Sequence, residues 1–412
     1  MTCGLGLGDA YSAMLGRIKG QGGERSRLGM AALMWITHSE RPLKPDELRH
    51  ALAVEIGPNL NPDNVPSIGT LLACCQGLIV VDEKASTVRL IHSTLQEYLR
   101  AHPELFGSAH SKMAEICLSY LNSQQVKSLS TSPSPDLRGM PLLEYSSLCW
   151  GTHAKKDLSD SAKFLALKLF DDLNNHISTK ILLSTQRPYW YAINRHKLPQ
   201  LSGLHCASAF GVVEIVASLV QAEGCDINQE DCMGHTSLVW AIRNGHEKVV
   251  EILLRQDSVN PEKLGEYGRT PLWWAARNGH EGVVKVLLEW GDVDPDKPIE
   301  YGQTPLCCAS RNGHEGVVKI LLGRDDVSPD KPNNYGQTLL CCAAWNGHGG
   351  VAQILLGRDD INPNEPSNDG QTPLNCAARN GHGGVVELPV GLEDANPDRS
   401  GNRGKNTILV DS

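Results

Sequence analysis

The sequence predicts a mainly α-helical chain in three parts: a small helical domain ending in a β-hairpin, a helical middle segment, and a solenoid of stacked helix–turn–helix units. Three observations predict this. Gly234, Gly268, Gly302, Gly336, Gly370 and Gly404 stand 34 residues apart. The text between them barely changes, as "YGRTPLWWAARNGHEGVVKVLL" (267–288), "YGQTPLCCASRNGHEGVVKILL" (301–322), "YGQTLLCCAAWNGHGGVAQILL" (335–356) and "DGQTPLNCAARNGHGGVVELPV" (369–390) show. A fixed period of this size marks a stacked array of one small unit. Finally, "GLIVVDEKASTVRLIH" (77–92) sets two apolar runs around a polar turn, whereas apolar residues elsewhere fall at helical spacing.

The N-terminal part, 1–105, begins with a helix over 9–20 carrying Tyr11, Met14, Leu15 and Ile18 on one face. "GQGG" (20–23) interrupts it, and a second helix follows over 26–37 with Leu28, Ala31, Ala32, Trp35 and Ile36 in phase. The chain breaks at Pro42 and Pro45, then restarts with Asp46 and Glu47 in a first turn, where carboxylates suit the helix dipole. Another helix is predicted over 67–76, then the hairpin, then a helix over 93–102. Three helices followed by a β-hairpin is the order of a winged helix. A DNA-reading winged helix needs a basic recognition helix and wing. Here "SIGTLLACCQ" contains no Lys or Arg, and residues 24–104 carry 8 basic against 10 acidic side chains. That charge speaks against DNA.

The middle, 106–199, reads as a helical linker. Met113, Ile116, Cys117, Tyr120 and Leu121 are in phase over 108–122, and helices resume over 141–153, 159–172 and 175–183. "SLSTSPSPDLRG" (128–139) has the Ser/Pro content of an exposed loop. Tyr189, Trp190 and Tyr191 are expected to cover the bare end of the array.

The array occupies 200–403 as six repeats, with 404–412 a truncated seventh or a disordered tail. Each unit opens with a turn at Gly. Thr270 and its equivalents then cap a first helix, and Pro271 sits at its first position, where no donor is needed. The second helix repeats apolar residues, as Val283, Val284, Val286, Leu287 and Leu288 do. In register upstream, "LSGLHCASAFGVVEIVASLV" (201–220) is the first repeat. In the sixth, Pro389 replaces Leu287, Leu321 and Leu355; proline inside a helix costs about 3 kcal/mol, so that helix is expected to be short or kinked.

Two resemblances follow from these residues. "TPLxxAAxNGHxxVVxxLL" closely resembles ankyrin repeats, with one extra loop residue; the tetratricopeptide pattern, which shares the period, is missing. "AALMWITHSERPLKPDELRHALAV" with "CCQGLIVVDEKASTVRLIHSTLQEYL" is similar to the winged-helix region following the nucleotidase module of fungal NACHT–ankyrin proteins, which are NLR-like signal-transducing ATPases. Ser93 departs from that pattern, standing after His92 where an aromatic is expected. The chain has no GxxxxGK[ST] phosphate loop; "GRIKGQGG" (16–23) lacks the Lys-Ser/Thr pair. The resemblance therefore implies a chain that begins where the nucleotidase module ends.

Composition narrows the function. The array carries 16 basic and 28 acidic side chains, a poor polyanion binder. No apolar run approaches the ~18–20 residues of a membrane span. The start, "MTCGLGLGDAYSAML", lacks a signal peptide's basic region. Thirteen cysteines, several adjacent, then read as reduced thiols in a cytoplasmic or nuclear protein. The repeated histidines, His246, His280, His314, His348 and His382, recur once per unit, the pattern of a structural role; successive units lie about 10 Å apart, whereas a metal needs ligands near 2 Å. Cys307–Cys308 and Cys341–Cys342 lack CxxC spacing and read as packed thiols. No cofactor, metal or catalytic constellation is expected.

Binding is the remaining reading: a protein or peptide ligand along the concave face of the array. Mapped by position, the hairpins offer Tyr267, Arg269, Tyr301, Gln303, Tyr335, Gln337, Asp369 and Gln371. The first helices offer Arg243, Asn244, Arg277, Asn278, Arg311, Asn312, Trp345, Asn346, Arg379 and Asn380. Tyr, Trp and Arg dominate interface energies, and Trp345, which interrupts the Arg ladder, is the expected anchor. The leading function is a non-enzymatic interaction module, the sensor and regulatory half of an NLR-like protein. Part of a nucleotidase whose P-loop lies elsewhere, and a winged-helix DNA regulator, are the alternatives.

Overall fold

The structure, a computed structural model, describes residues 6–54, 64–130, 137–171, 173, 176–186, 200–265, 268–291, 293–329 and 331–388. The chain divides into two compact units, with the boundary between Ala222 and Glu223.

The first unit opens with α1 (Leu7–Gly20), which buries Tyr11, Leu15 and Ile18. The chain turns at Gln21, whose side-chain Nε2 donates to the Cys74 carbonyl at 2.7 Å. Next, α2 (Gly23–His38) buries Leu28, Leu33 and Trp35. Its Gly29 permits a close approach: a Cβ there would lie 2.8 Å from the Cys74 carbonyl oxygen. Pro45 begins α3 (Pro45–Ala53), and Glu47 in its first turn accepts from the Lys44 amide at 2.8 Å. The Glu47 carboxylate, 2% exposed, also takes a bidentate pair from Arg41 at 2.8 and 2.6 Å. Helix α4 (Ile68–Cys74) is capped by Ser67, which accepts from the Thr70 amide.

Strands β1 (Ile79–Asp82) and β2 (Thr87–Leu90) then pair antiparallel, with Ile79 opposite Leu90 and Asp82 opposite Thr87. Leu43, between α2 and α3, forms a further bridge to Val88. Helices followed by this small sheet make the winged-helix fold. The third strand position was not legible in sequence, because one bridged residue leaves no alternating pattern. Helix α5 (Ser93–Ala101) follows, burying Leu95 and Leu99.

The middle segment is helical: α6 (Ala109–Asn122), α7 (Gln124–Ser130), α8 (Leu143–Lys156), α9 (Asp160–Phe170) and α10 (Ile177–Gln186). Helix α7 corrects the sequence reading, which began a loop at 128. Its Val126 is fully buried, so packing overrides the weak helix preference of Ser.

The first repeat belongs to this unit. Its helices, Gly203–Phe210 and Val213–Val220, meet α8 and α9 through aromatic rings. Phe210 lies edge-on to Trp150 at 5.0 Å, and Trp150 lies 6.0 Å from Phe170. Two glycines make room: a Cβ on Gly151 would stand 2.1 Å from Phe210, and one on Gly203 would stand 2.5 Å from Phe170. Helices α8 and α9 therefore cover the first repeat. Tyr189, Trp190 and Tyr191, expected there, lie outside the described residues.

The second unit stacks five repeats. Their first helices are Ser237–Arg243, Pro271–Asn278, Pro305–Asn312, Leu339–Trp345 and Pro373–Arg379. Their second helices are Glu247–Leu254, Glu281–Glu289, Glu315–Leu322, Gly349–Leu356 and Gly383–Val386. Thr270, Thr304, Thr338 and Thr372 accept the expected capping bonds. Thr236 makes none; in the turn ahead of that helix the buried Asp231 carboxylate accepts from the Met233 and His235 amides and from the Trp240 indole at 2.8–3.0 Å. The last second helix spans four residues, short as expected. Pro389 and 404–412 lie outside the described residues.

Candidate protein-binding surface

The repeat period carries each hairpin onto the next. The Asn334 amide donates to the Tyr301 carbonyl at 2.9 Å, and Asn368 repeats this bond to Tyr335 at 3.0 Å. This brings the Tyr301 and Tyr335 rings into a stack, 6.0 Å between centroids and 21° between planes. Both remain more than half exposed. Tyr301 has a positive φ, +68°, the one non-glycine residue of the second unit to do so among the described residues. Such backbone costs about 1–3 kcal/mol and gathers at functional positions.

Opposite the tyrosines stand the ends of two first helices. Trp345, 45% exposed, occupies the place where the preceding repeats have Arg277 and Arg311. Together Tyr301, Gln303, Arg311, Tyr335, Gln337, Trp345 and Asn346 line a groove of about 440 Å³, and Cys342 forms part of its floor. Seven of these eight residues were named from sequence. Cys342 was missed because it is buried beneath the others, its Sγ 3.5 Å from Cys307 of the preceding repeat. A contact at a separation of one period plus one residue has no signature within a single unit.

The remaining sequence-named residues lie elsewhere. Arg243, Arg269 and Arg277 gather over the Trp273–Trp274 pair, with guanidinium carbons 4.7–5.9 Å from the rings. This second cluster is cationic over aromatic and sits one repeat upstream. Arg379 donates to the Gln371 side chain at 3.2 Å. The asparagines serve the backbone: Asn312, Asn346 and Asn380 donate to carbonyls one turn back, and Asn278 donates to the Arg243 carbonyl. Tyr267 lies outside the described residues.

The repeated histidines link neighbouring units. Nε2 of His280, His314, His348 and His382 lies 2.8–3.1 Å from the carbonyl of Arg243, Arg277, Arg311 and Trp345 respectively. Each of those carbonyls belongs to the first helix of the preceding repeat. The histidines thus hold in register the same helix ends that present Arg311 and Trp345.

The model for ankyrin repeats (3 copies) matches in overlapping stretches, 173–263, 204–299, 258–333, 290–367 and 325–401, more than half of the chain. The chain belongs to the ankyrin-repeat family. Ahead of the ankyrin array, residues 17–114 match the model described as "GPI inositol-deacylase, winged helix domain". Among solved structures, the crystal structure of the human ASB11 ankyrin repeat domain is similar at 27% identity, covering 47% of this chain and 86% of that one, with a TM-score of 0.41. Comparison with curated proteins gives no match. Ankyrin repeats are a protein–protein interaction architecture, and this array is such a module. Among the described residues, no helix is long and apolar enough to cross a membrane.

Proposed function

We propose that the ankyrin array takes an extended segment of a protein partner in the groove between the Tyr301–Tyr335 stack and the Arg311–Trp345 helix ends. The observation that carries this is the exposure of three large aromatics on one 440 Å³ groove. Exposed tryptophan and stacked tyrosine offer rigid apolar area at low entropic cost, and Arg311 offers a planar fork for a carboxylate or carbonyl. Arg269 and Arg277, over the buried tryptophan pair, form a separate cluster one repeat upstream. The array's acidic balance favours a partner that is not a polyanion.

The combination of winged helix and array supports a sensor and regulatory half of an NLR-like signalling protein, as the resemblance of residues 9–105 implies. On that reading the array recognises, and the winged-helix part relays. The nucleotide chemistry of such proteins would belong to a phosphate-binding module, and no residues with that spacing stand in this sequence.

The test uses peptides selected against the full chain from a display library. The triple variant Tyr301→Ala, Arg311→Ala, Trp345→Ala should lower their affinity by about a hundredfold or more, while its helical circular dichroism and melting stay unchanged. Unchanged affinity would refute the groove. Amide exchange separates the second part: peptide binding that alters exchange within 17–114 supports the sensor reading, and changes confined to the array count against it.

A further inference from the structure

Three elements of the first unit converge on a cluster that protein binding does not use. Glu40 follows the end of α2, His110 lies in the first turn of α6, and His153 lies near the end of α8. One donor atom from each lies within 4.8 Å of the others. Nδ1 of His110 and Nδ1 of His153 are 2.9 Å apart, and Nδ1 of His153 is 3.7 Å from Glu40 Oε1. We propose that Glu40, His110 and His153 form a binding site for one divalent transition-metal ion of the zinc type.

The geometry fits. Metal–ligand distances of about 2.0–2.1 Å in a tetrahedral site place neighbouring donors roughly 3.3 Å apart. The observed separations fall on either side of that value. Two imidazoles and one carboxylate leave a fourth position for water. His153 is fully buried while Glu40 stands at the surface, so the site has a floor and an entrance.

The surroundings also fit. Tyr145 Oη lies 2.9 Å from Nε2 of His153 and accepts from the Glu40 amide at 3.2 Å. If Nε2–H donates to Tyr145, the Nδ1 lone pair of His153 faces the cluster, the orientation that outer partners impose on metal-bound histidines. In the metal-free arrangement one of the two facing Nδ1 atoms must carry a proton; metal binding moves that proton to solvent or to the far side of its ring. His38 adds a further imidazole, 5.3 Å from the His110 ring, whose buried Nε2 has no hydrogen-bond partner among the described residues. Lys156 donates to Glu40 Oε1 at 2.7 Å and is the group a cation displaces. Its side chain is 46% exposed and free to move into solvent. A bound ion would pin the loop after α2 to α6 and α8, fastening the winged-helix part to the helical segment behind it.

Cobalt titration of the chelator-treated full chain tests this. One Co²⁺ per chain should give visible ligand-field bands without thiolate charge transfer, and Zn²⁺ should raise the melting temperature and bleach the bands. Glu40→Gln, at the surface and so expected to fold, should weaken binding about tenfold or more. His110→Gln should do the same, and Tyr145→Phe should weaken binding less than either. Absent bands and no zinc stabilisation of the natural chain would overturn the proposal. So would unchanged affinity in Glu40→Gln, or a thiolate charge-transfer band placing the metal on cysteines.

Discussion

The tie between neighbouring repeats can be measured at Gly279. Its φ is +73°, and an added Cβ would stand 2.6 Å from Nδ1 and 2.9 Å from Cγ of His314 in the next repeat. Because Cγ is the root of the ring, rotating the imidazole does not relieve the contact. Gly279→Ala therefore combines two costs. The left-handed backbone costs about 1–2 kcal/mol for an L-residue. Displacing His314 breaks its 2.8 Å bond to the Arg277 carbonyl, about 1 kcal/mol more. The expected total is about 3 kcal/mol. Gly268 in the same repeat supplies the control: its φ is +69°, but among the described residues nothing lies within 4 Å of its Cβ position, so Gly268→Ala should cost only about 1–2 kcal/mol. Removing the obstacle should restore the difference, and the coupling between Gly279→Ala and His314→Ala should reach about 1 kcal/mol. Urea unfolding gives the sums, and native-state hydrogen exchange in the flanking helices localises them, since a solenoid need not unfold in one step. Equal costs for Gly268→Ala and Gly279→Ala, within about 0.5 kcal/mol, would refute the reasoning.

Two further outcomes are expected. At Asp231, burial alone would raise the carboxyl pKa, but the hydrogen bond and charge of His235 and the amide donors of His235 and Met233 bring it below the usual value. Its stabilisation is therefore full above the unfolded carboxyl pKa of about 3.9 and is lost as pH falls through the folded value. Asp231→Ala should cost about 3 kcal/mol at neutral pH and flatten the acid limb of a urea-midpoint against pH curve; an unchanged limb would count against this account. At Gly151, alanine would press on Phe210 at the root of its ring and should cost about 3 kcal/mol. Phe210→Ala should absorb most of that penalty in thermal denaturation of the double variant, and strictly additive losses would show that the two do not meet.

Legibility in the sequence followed the range of the interaction. Thr270, Pro271 and Gly279 carry their meaning within a few residues, so caps and turns could be placed from text alone. The same holds for the hairpin of β1 and β2. Tyr301, Gln303, Arg311, Tyr335, Gln337, Trp345 and Asn346 could be named because the period repeats them at equivalent places. Their gathering around one groove could not. It depends on the Tyr301 ring turning onto Tyr335 and on Trp345 staying exposed where Arg277, at the equivalent place, bends over Trp273 and Trp274.

The sequence by itself determined the helical class, the order of winged helix and array, and the length of the repeating unit. These rest on spacing, capping chemistry and glycine conformation, all local. Only the tertiary structure decided that α8 and α9 cover the first repeat and that Glu40, His110 and His153 meet. Those contacts join residues far apart in a part of the chain that does not repeat, where helix packing alone sets which side chains converge.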